Sequence, residues 1–569
     1  MLQRETCSYN NSTCMDDSNL TIYRDSNDNL IATDHFMKYD DGPGIHVEQN
    51  QRVVLNSRPG VELGEDRKNE ACVSVKEAGV ALCYAWKVDN SGPHSKLGVE
   101  LIRDKIRILF PGAKQVASSS FDDFLERVWS VRDSLPIVNR EIGDTWIMGA
   151  SSDPLKVALF RSAQDAYSRC VRDQNNCGIE RESLNTFVRL LTNAGEHTWG
   201  WNGGGIRRKD WTNTELEKAR KSDPLYQTTE RTWLEQRAFL RNALDALPQN
   251  STLAAEIRKE WNEIENVVPF DSHGFVDVSL SAQNNSLICG ESLILSLDVD
   301  DGSIQHVIAG SGKQFHSHLF RLHYQNLDHD EIEAYARDYI AGISEIYPDL
   351  AAENLVKPNM KLSSINSNFT LVRVRVNSDS KILLDLNVSN SDTHVLRGAP
   401  SRAQALLECG SDDLSYTLRW FNKTSTHAPE TIWMSHGEND TINKTYLSKL
   451  GRMINAEDAD LNCSGHRLTC GVHLHGVDRN GIRVSTNDNR SFDLISLDSA
   501  LVSVGSANPL PTPLVVPDPS GGVHFALVGN IWNTNYPFWY PFRDADASSQ
   551  FRFRVTFRDS APPVHLKQY

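Results

Sequence analysis

The period of the hydrophobic pattern changes along this chain, and that change is the feature that most constrains its fold. Between residues 153 and 268, apolar side chains recur at helical spacing, in stripes that each cover one helix face. One such stripe comprises Leu184, Phe187, Val188 and Leu191. After residue 269 the pattern alternates, as in Phe551–Phe557, and turn residues are frequent. The pattern therefore predicts a helical bundle domain over residues 153–268 and β-sandwich domains over residues 269–569.

Residues 1–152 have a third pattern, in which apolar segments alternate with amphipathic ones. The predicted elements are a strand at 79–88, a helix at 97–110, a strand at 114–120, a helix at 121–131 and a strand at 135–143. Strands that alternate with helices favour a parallel sheet with ligand-binding groups at the carboxyl ends of the strands. The segment before about residue 70 is polar and irregular. We therefore predict that residues 1–152 are the remnant of an α/β domain that is entered part-way through.

The charge composition indicates which class of ligand this chain can bind. The 569 residues carry a formal net charge of −16, and the pI is near 5.6. A nucleic-acid-binding protein needs a clustered basic face, so this charge argues against a nucleic-acid partner and favours a neutral substrate. No apolar segment approaches the ~20 residues of a membrane helix, and the residues after Met1 lack the apolar region of a signal peptide.

Asparagine-linked glycosylation sequons are numerous in this chain. Twelve Asn-x-Ser/Thr sequons occur, at Asn10, Asn11, Asn19, Asn250, Asn284, Asn368, Asn387, Asn422, Asn439, Asn443, Asn462 and Asn489. Together with an even number of cysteines, ten, they suit a secreted or lumenal protein with disulfides. A chain rich in Asn and Ser also generates sequons by chance. The compartment therefore stays open at the level of sequence.

A first group of candidate site residues follows the strand predicted at 79–88. Asp89, Asn90 and His94 would project a carboxylate, an amide and an imidazole above the carboxyl edge of the sheet. Such groups suit substrate hydroxyls or general acid chemistry. The alternative is that this segment is a turn in which Asp89 caps the next helix.

A second group ends the strand predicted at 135–143. Glu141 and Asp144 are two carboxylates, and Trp146 adds an indole. Cleavage of a glycosidic bond needs an acid and a nucleophile, and sugar rings pack on aromatic faces, so this group favours a carbohydrate site. The alternative is a turn capped by Asp144 with Trp146 in a core.

A third group follows the helix that ends near Leu191. His197 lies between Glu196 and Trp199, and a histidine beside a carboxylate can bind zinc. A histidine near a helix end is also a common structural residue, so this group alone does not establish a metal site.

Taken in order, several segments resemble a branch of the glycoside hydrolase family 38 (α-mannosidase)-like superfamily. The segments are residues 89–95, 110–124, 135–154, 195–200, 233–244, 298–307, 495–505, 524–540 and 551–555. The resemblance implies an α/β catalytic domain, a helical bundle and β-sandwich domains. It also implies a zinc-dependent retaining mechanism in which one zinc ion holds the sugar hydroxyls.

The resemblance also assigns roles to individual residues. Asp89 and Asp144 become the catalytic carboxylates, and His197 becomes a zinc ligand. Thr198 stands where the family has an Asp after that histidine, and Asn90 departs from the family's Asp-Asp-Phe pattern. The family's other zinc ligands and its nucleophile precede the point at which this sequence enters the domain, so the sequence predicts an incomplete, N-terminally truncated catalytic domain.

Two functions follow from these residues. The leading interpretation is a glycosidase of the α-mannosidase type in the full-length protein, with this chain alone inactive. The alternative is a non-catalytic carbohydrate-binding or scaffold protein derived from the same fold. In both, the expected partner is a carbohydrate, and the sequence does not specify the oligomeric state.

A short aromatic segment, residues 530–540, carries a further structural prediction. Its aromatic residues are Trp532, Tyr536, Phe538, Trp539 and Tyr540. Because soluble proteins seldom leave such an apolar patch uncovered, we expect the segment to fold back from the β domains onto the helical bundle or the site.

Overall fold

The computed structural model describes most of the chain after residue 96. The described residues are 21–24, 30–33, 44–47, 53–56, 72–83, 96–135, 145–174, 177–195, 200, 212–310, 312, 314–339, 360–437, 442–449, 451–458, 474–487, 490–510, 515–531 and 539–558. The chain separates into two compact units. The first unit comprises residues 1–140 and 462–469, and the second comprises residues 141–461 and 470–569.

The first unit contains short strands and two helices. The strands are β1 (Thr21–Arg24), β2 (Leu30–Thr33), β3 (Gly44–Val47), β4 (Val53–Asn56), β5 (Cys72–Val75) and β6 (Val80–Cys83), and the helices are α1 (Lys96–Leu109) and α2 (Phe121–Trp129). The strand orders are β2-β1-β6-β5 and β3-β4, and every described pairing is antiparallel. Ile106, Phe124 and Val128 of the two helices pack on β5 and β6. The predicted parallel sheet is therefore not confirmed in the described residues.

The strand expected at residues 114–120 is wrong. The chain there is irregular, and its last residue begins the next helix instead. The Ser120 hydroxyl accepts a hydrogen bond from the Asp123 amide, while the Asp123 carboxylate accepts one from the Ser120 amide. This capping box satisfies the first amides of α2, so the serine-rich segment serves as a helix start.

The second unit opens with helices. They are α3 (Pro154–Gln174), α4 (Arg181–Ala194), α5 (Asn213–Ser222), α6 (Pro224–Asp245) and α7 (Thr252–Glu265). Asp223 caps α6 through the Leu225 amide, and Ser251 caps α7 through the Ala254 amide. Helix α4 packs on α6, and α3 packs on α7. The stripe predicted on α4 faces this core, where Leu184, Phe187 and Leu191 are buried.

Strands make up most of the rest of the second unit. They are β7 (Val276–Val278), β8 (Ser286–Cys289), β9 (Leu293–Leu297), β10 (Ile304–Ile308), β11 (Gln314–Leu319), β12 (Arg321–Asn326), β13 (Ile365–Val376), β14 (Ile382–Val388), β15 (Arg402–Cys409), β16 (Asp413–Phe421), β17 (Glu430–His436), β18 (Ile442–Lys449), β19 (Arg452–Asn455), β20 (Leu474–Gly476), β21 (Ile482–Thr486), β22 (Ser491–Ser496), β23 (Leu501–Val504), β24 (Val523–Asn530) and β25 (Ser549–Arg558). Two further helices are α8 (His329–Tyr339) and α9 (Ser391–Arg397).

Two antiparallel sheets arise from these strands. The smaller sheet has the order β11-β10-β9-β8. The larger one has the order β19-β18-β21-β22-β25-β16-β15-β14-β13-β12-β17-β24-β23-β20, with β7 beside β13. Side chains from both sheets share one apolar core, and a disulfide between Cys289 of β8 and Cys409 of β15 joins the sheets. The predicted β-rich C-terminal part, layered as packed sheets, is confirmed.

Hydrogen bonds from buried arginines hold the helices of this unit against its strands. The guanidinium of Arg237 in α6 donates two hydrogen bonds to Asp153, at 2.7 and 2.8 Å, and one to Asp546, at 2.8 Å. Arg161 of α3 donates to the backbone carbonyls of Leu497, Val477 and Ser496. Because all these donors are buried and paired, the helices and the strands of this unit are held in a fixed arrangement.

The predicted return of the aromatic segment onto the bundle is confirmed at its C-terminal end. The Trp539 ring stacks on Tyr226 of α6 at a centroid distance of 4.9 Å and meets Trp233 edge-on at 4.5 Å. Its indole N–H donates to Glu230 at 2.7 Å. Residues 532–538 of the same segment lie outside the described residues. In the described part of the chain, no helix is long and apolar enough to cross a membrane.

Candidate functional site

Most of the predicted site residues lie outside the part of the chain that the structure describes. These residues are Asp89, Asn90, His94, Glu141, Asp144, Glu196, His197 and Trp199. Trp146 lies in a 3-10 helix, Thr145–Ser151, whose backbone is described while the indole is not. The grouping of these residues in one crevice therefore stays a prediction.

The 3-10 helix that carries Trp146 has a defined position in the second unit. It lies against strands β20, β23 and β24. The Ser152 hydroxyl, just after it, donates to the Gly529 carbonyl of β24 at 2.9 Å. A Cβ atom on Gly529 would lie 2.3 Å from Oγ of Ser151, so a larger residue there would require the serine side chain to move. The chain directly after the predicted carboxylate pair is thus fixed on the large sheet.

Polar side chains lie on the same side of the large sheet as this helix, on strands β12, β17 and β24. Leu322 and Tyr324 of β12 belong to the apolar core, so strand alternation turns His323 and Gln325 to the opposite side. Residue pairing between β17 and β24 sets Gly529 opposite Thr431, two residues before Trp433. The side that the 3-10 helix covers is therefore the side that carries these polar groups.

Five side chains on this side form a connected group, which we call the histidine face: His323, Gln325, Trp433, Ser435 and His524. Pairing between the strands sets His323 opposite Trp433 and Ser435 opposite His524. The Trp433 indole N–H donates to the Gln325 side chain at 2.9 Å. All five lie on neighbouring strands β12, β17 and β24.

Hydrogen bonds show which ring nitrogen of His524 carries the proton. Its Nε2 lies 3.1 Å from the Gly521 carbonyl, which can only accept, so Nε2 carries the proton. Nδ1 lies 2.8 Å from the Ser435 hydroxyl and accepts from it. Burial lowers the pKa of His524 to about 4, against the opposing effect of the Gly521 hydrogen bond. The imidazole is therefore neutral at pH 7.

His323 is neutral for the same reason. Burial, together with the smaller effects of nearby His524 and Arg321, lowers its pKa to about 3. Its side chain is 4% exposed, and Nδ1 has no hydrogen-bond partner in the described part of the chain. A general acid or base at neutral pH needs a pKa near 7, so neither histidine is suited to proton transfer there. The histidine face supplies neutral hydrogen-bonding groups beside an indole.

The sequence interpretation did not include the histidine face. Its signal is the alternation of polar residues within strands, as in Arg321, His323 and Gln325 or Trp433 and Ser435. That alternation equally describes a solvated strand face, and only the pairing of β12, β17 and β24 brings the residues together.

A cavity of about 90 Å³ lies elsewhere in the same unit. Its lining includes Leu155 of α3, Ile264 near the end of α7, and Arg543, Asp546 and Gln550 beside β25. Ligand pockets measure roughly 300–1,000 Å³. The cavity is therefore too small for a sugar chain.

A metal site needs several His, Cys, Asp or Glu side chains close together. The described residues contain no such group of three or more. The predicted zinc ligand His197 lies outside those residues, and zinc stays a prediction.

Comparison with known proteins gives one family match. Residues 150–416 match the family model described as Domain of unknown function (DUF5054). That stretch covers helices α3 to α7 and the strands from β7 to the first part of β16. It therefore includes β12, which carries two residues of the histidine face. No curated protein matches.

Several solved structures are similar to this chain at low identity. An α-mannosidase from Enterococcus faecalis V583 has 9% identity and a TM-score of 0.44, and a family 38 glycosyl hydrolase protein from Enterococcus faecalis has 9% identity and a TM-score of 0.42. Each alignment covers 84% of this chain and 63% of the other, so the chain spans less than two thirds of those proteins. A putative mutarotase from Salmonella typhimurium has 8% identity and a TM-score of 0.24, over 53% of this chain and 99% of its own.

Proposed function

We propose that this chain is the carbohydrate-recognising part of a glycoside hydrolase-like protein whose full-length form acts on α-mannosides or related sugars. The observation that carries the proposal is the position of the 3-10 helix Thr145–Ser151 on the large sheet. That helix lies on the same side of the large sheet as the histidine face, and the proposed carboxylates Glu141 and Asp144 precede it directly in sequence. Neutral donors and acceptors beside aromatic rings are what a neutral sugar requires.

The roles of the individual residues follow from the resemblance in sequence. Asp144 and Asp89 are the proposed carboxylates of the reaction, and Trp146 packs on the sugar ring. His197 would bind zinc, which would polarise the sugar hydroxyls when bound. A catalytic zinc site needs about three protein ligands, so His197 requires partners beyond those proposed here.

A binding panel tests the proposal directly. The purified chain is titrated with methyl α-mannoside, α-linked mannobiose, methyl β-glucoside and a sulfated glycan. We expect saturable binding of the α-mannosides, weaker binding of the glucoside and none of the sulfated glycan, because the chain is acidic. Absence of binding to every sugar would contradict the proposal.

The second candidate function is a carbohydrate-binding protein without catalysis. Thr198 favours it, because the residue after His197 is not the acidic one that the α-mannosidases have. Hydrolysis of a chromogenic α-mannoside, with zinc or with a chelator, separates the two. Binding without turnover in the full-length protein supports the second candidate, whereas turnover that the chelator abolishes supports the first. In this chain alone we expect little or no turnover.

A further inference from the structure

The Asn-x-Ser/Thr sequons share one structural property in the described residues. The six sequon asparagines that the structure describes are Asn250, Asn284, Asn368, Asn387, Asn422 and Asn443. All six are exposed. An attached glycan is bulky and must project into solvent, so each of these positions can carry one without displacing packed side chains.

Asparagines outside the sequons behave differently. Asn326 and Asn530 are the fully buried asparagines among the described residues, at 1% and 0% exposure. Neither belongs to a sequon, since Asp328 and Trp532 stand two residues later. In the described residues, the fully buried asparagines therefore lie outside sequons, whereas the sequon asparagines lie at the surface.

Three of the six exposed sequons meet at one location, which we call the acceptor patch: Asn368, Asn387 and Asn422. Asn368 lies on β13 and Asn387 lies on β14, where it pairs with Thr370. Thr370 and Ser389 are the hydroxyl residues of these two sequons, and their oxygens lie 2.7 Å apart.

Asn422 joins the same patch from the end of β16. Its amide donates to the Ser401 hydroxyl at 3.0 Å, and the Ser401 carbonyl accepts from the Val388 amide of β14. Asn422 also has a φ of 60°, a backbone conformation that asparagine tolerates well. A glycosylated amide keeps one N–H, so the bond to Ser401 is compatible with modification.

The cysteines supply an independent indication of the compartment. Cys170 and Cys177 form a disulfide, as do Cys289 and Cys409, and none of the described cysteines is free. Structural disulfides persist in oxidising compartments such as the secretory pathway, which is also where asparagine-linked glycans are added.

We propose that the protein is N-glycosylated at Asn368, Asn387 and Asn422, so that glycans cover the acceptor patch. The donor is a lipid-linked diphosphate oligosaccharide of the secretory pathway. In each transfer the asparagine Nδ2 forms a bond to the anomeric carbon of the first sugar. The bond from that carbon to the lipid diphosphate breaks, the amide loses one proton, and the lipid diphosphate leaves.

Peptide mapping of the protein from its natural source tests the proposal. Peptides are treated with peptide N-glycosidase in ¹⁸O-water, which converts each glycosylated asparagine to a labelled aspartate. We expect the label at Asn368, Asn387 and Asn422. Asn366 is the internal control, because it is exposed on the same strand but has Asn368 two residues later in place of a hydroxyl residue.

A matched pair of variants, made in the natural host, separates glycosylation from folding. Thr370→Ala removes the sequon of Asn368 and should lower the mass of the protein by one glycan. Thr370→Ser keeps the sequon and should keep the full mass. Recovery of any of the three as unmodified asparagine overturns the assignment at that position, and recovery of all three unmodified overturns the proposal. This outcome is independent of whether the protein binds mannosides.

Discussion

Gly529 of β24 lies in close contact with the end of the 3-10 helix Thr145–Ser151. Because a Cβ atom there would lie 2.3 Å from Oγ of Ser151, Gly529→Ala should destabilise the protein by about 1–3 kcal/mol. Gly476 of β20 is the matched control, since nothing lies within 4 Å of an added Cβ. Gly476→Ala should be neutral or slightly stabilising. Chemical denaturation measures both, and equal effects of the two substitutions would contradict the close approach.

The buried histidines predict a pH dependence of stability. In the unfolded chain an imidazole takes up a proton below about pH 6.5. In the folded chain His524 stays neutral down to about pH 4 and His323 down to about pH 3. The unfolded state therefore binds more protons between pH 6.5 and 4. The free energy of unfolding should fall as the pH drops through this window, by about 1.4 kcal/mol per pH unit for each histidine.

Variants assign this pH dependence to particular residues. His524→Gln removes one titrating group and should reduce the slope of the unfolding free energy between pH 6.5 and 4. The exposed His273 serves as the control, and His273→Gln, which removes no buried imidazole, should leave the slope unchanged. If urea denaturation gives His524→Gln the same slope as the parent protein, then His524 is not buried in neutral form.

Helix α6 packs on the C-terminal part of the chain through Trp539. Trp539 is fully buried against Tyr226 and Trp233 of that helix. Trp539→Ala should cost about 3–5 kcal/mol of unfolding free energy. Trp539→Phe keeps most of the ring contact and loses the hydrogen bond to Glu230, so it should cost less. Leu234→Ala, at a half-exposed site of α6, is the control and should cost little.

Secondary structure could be predicted from the sequence where the residues that form the apolar pattern are also the residues that the fold buries. The stripe on α4 predicts its buried face, because helical spacing and the core select the same residues. The segment at residues 114–120 was predicted wrongly as a strand, because the prediction did not take into account the capping role of Ser120 and Asp123. The site residues Asp89, Asp144 and His197 stay predictions, since they lie outside the described residues.

At the scale of the whole molecule, the disulfide between Cys289 and Cys409 joins strands that the chain separates by 120 residues. Sequence spacing alone could not predict this pairing, whereas Cys170 and Cys177 are close neighbours in sequence. Closing the longer loop should stabilise the folded state by about 5 kcal/mol, against about 2 kcal/mol for the shorter one. Replacing both cysteines of each pair with alanine and measuring thermal unfolding tests this order, and a larger loss from the short loop would contradict it.

The most direct test of the central claim is sugar binding by a Trp146 variant. We expect the chain to bind α-mannosides through the segment that carries Trp146. Trp146→Ala should therefore weaken binding about tenfold, as loss of an aromatic contact of about 1.4 kcal/mol implies. Trp129→Ala is the control, because that indole is 66% exposed on α2, and it should bind as the parent does. Titration calorimetry with α-linked mannobiose gives both affinities. Equal affinity for the parent and for Trp146→Ala would contradict sugar binding through this segment.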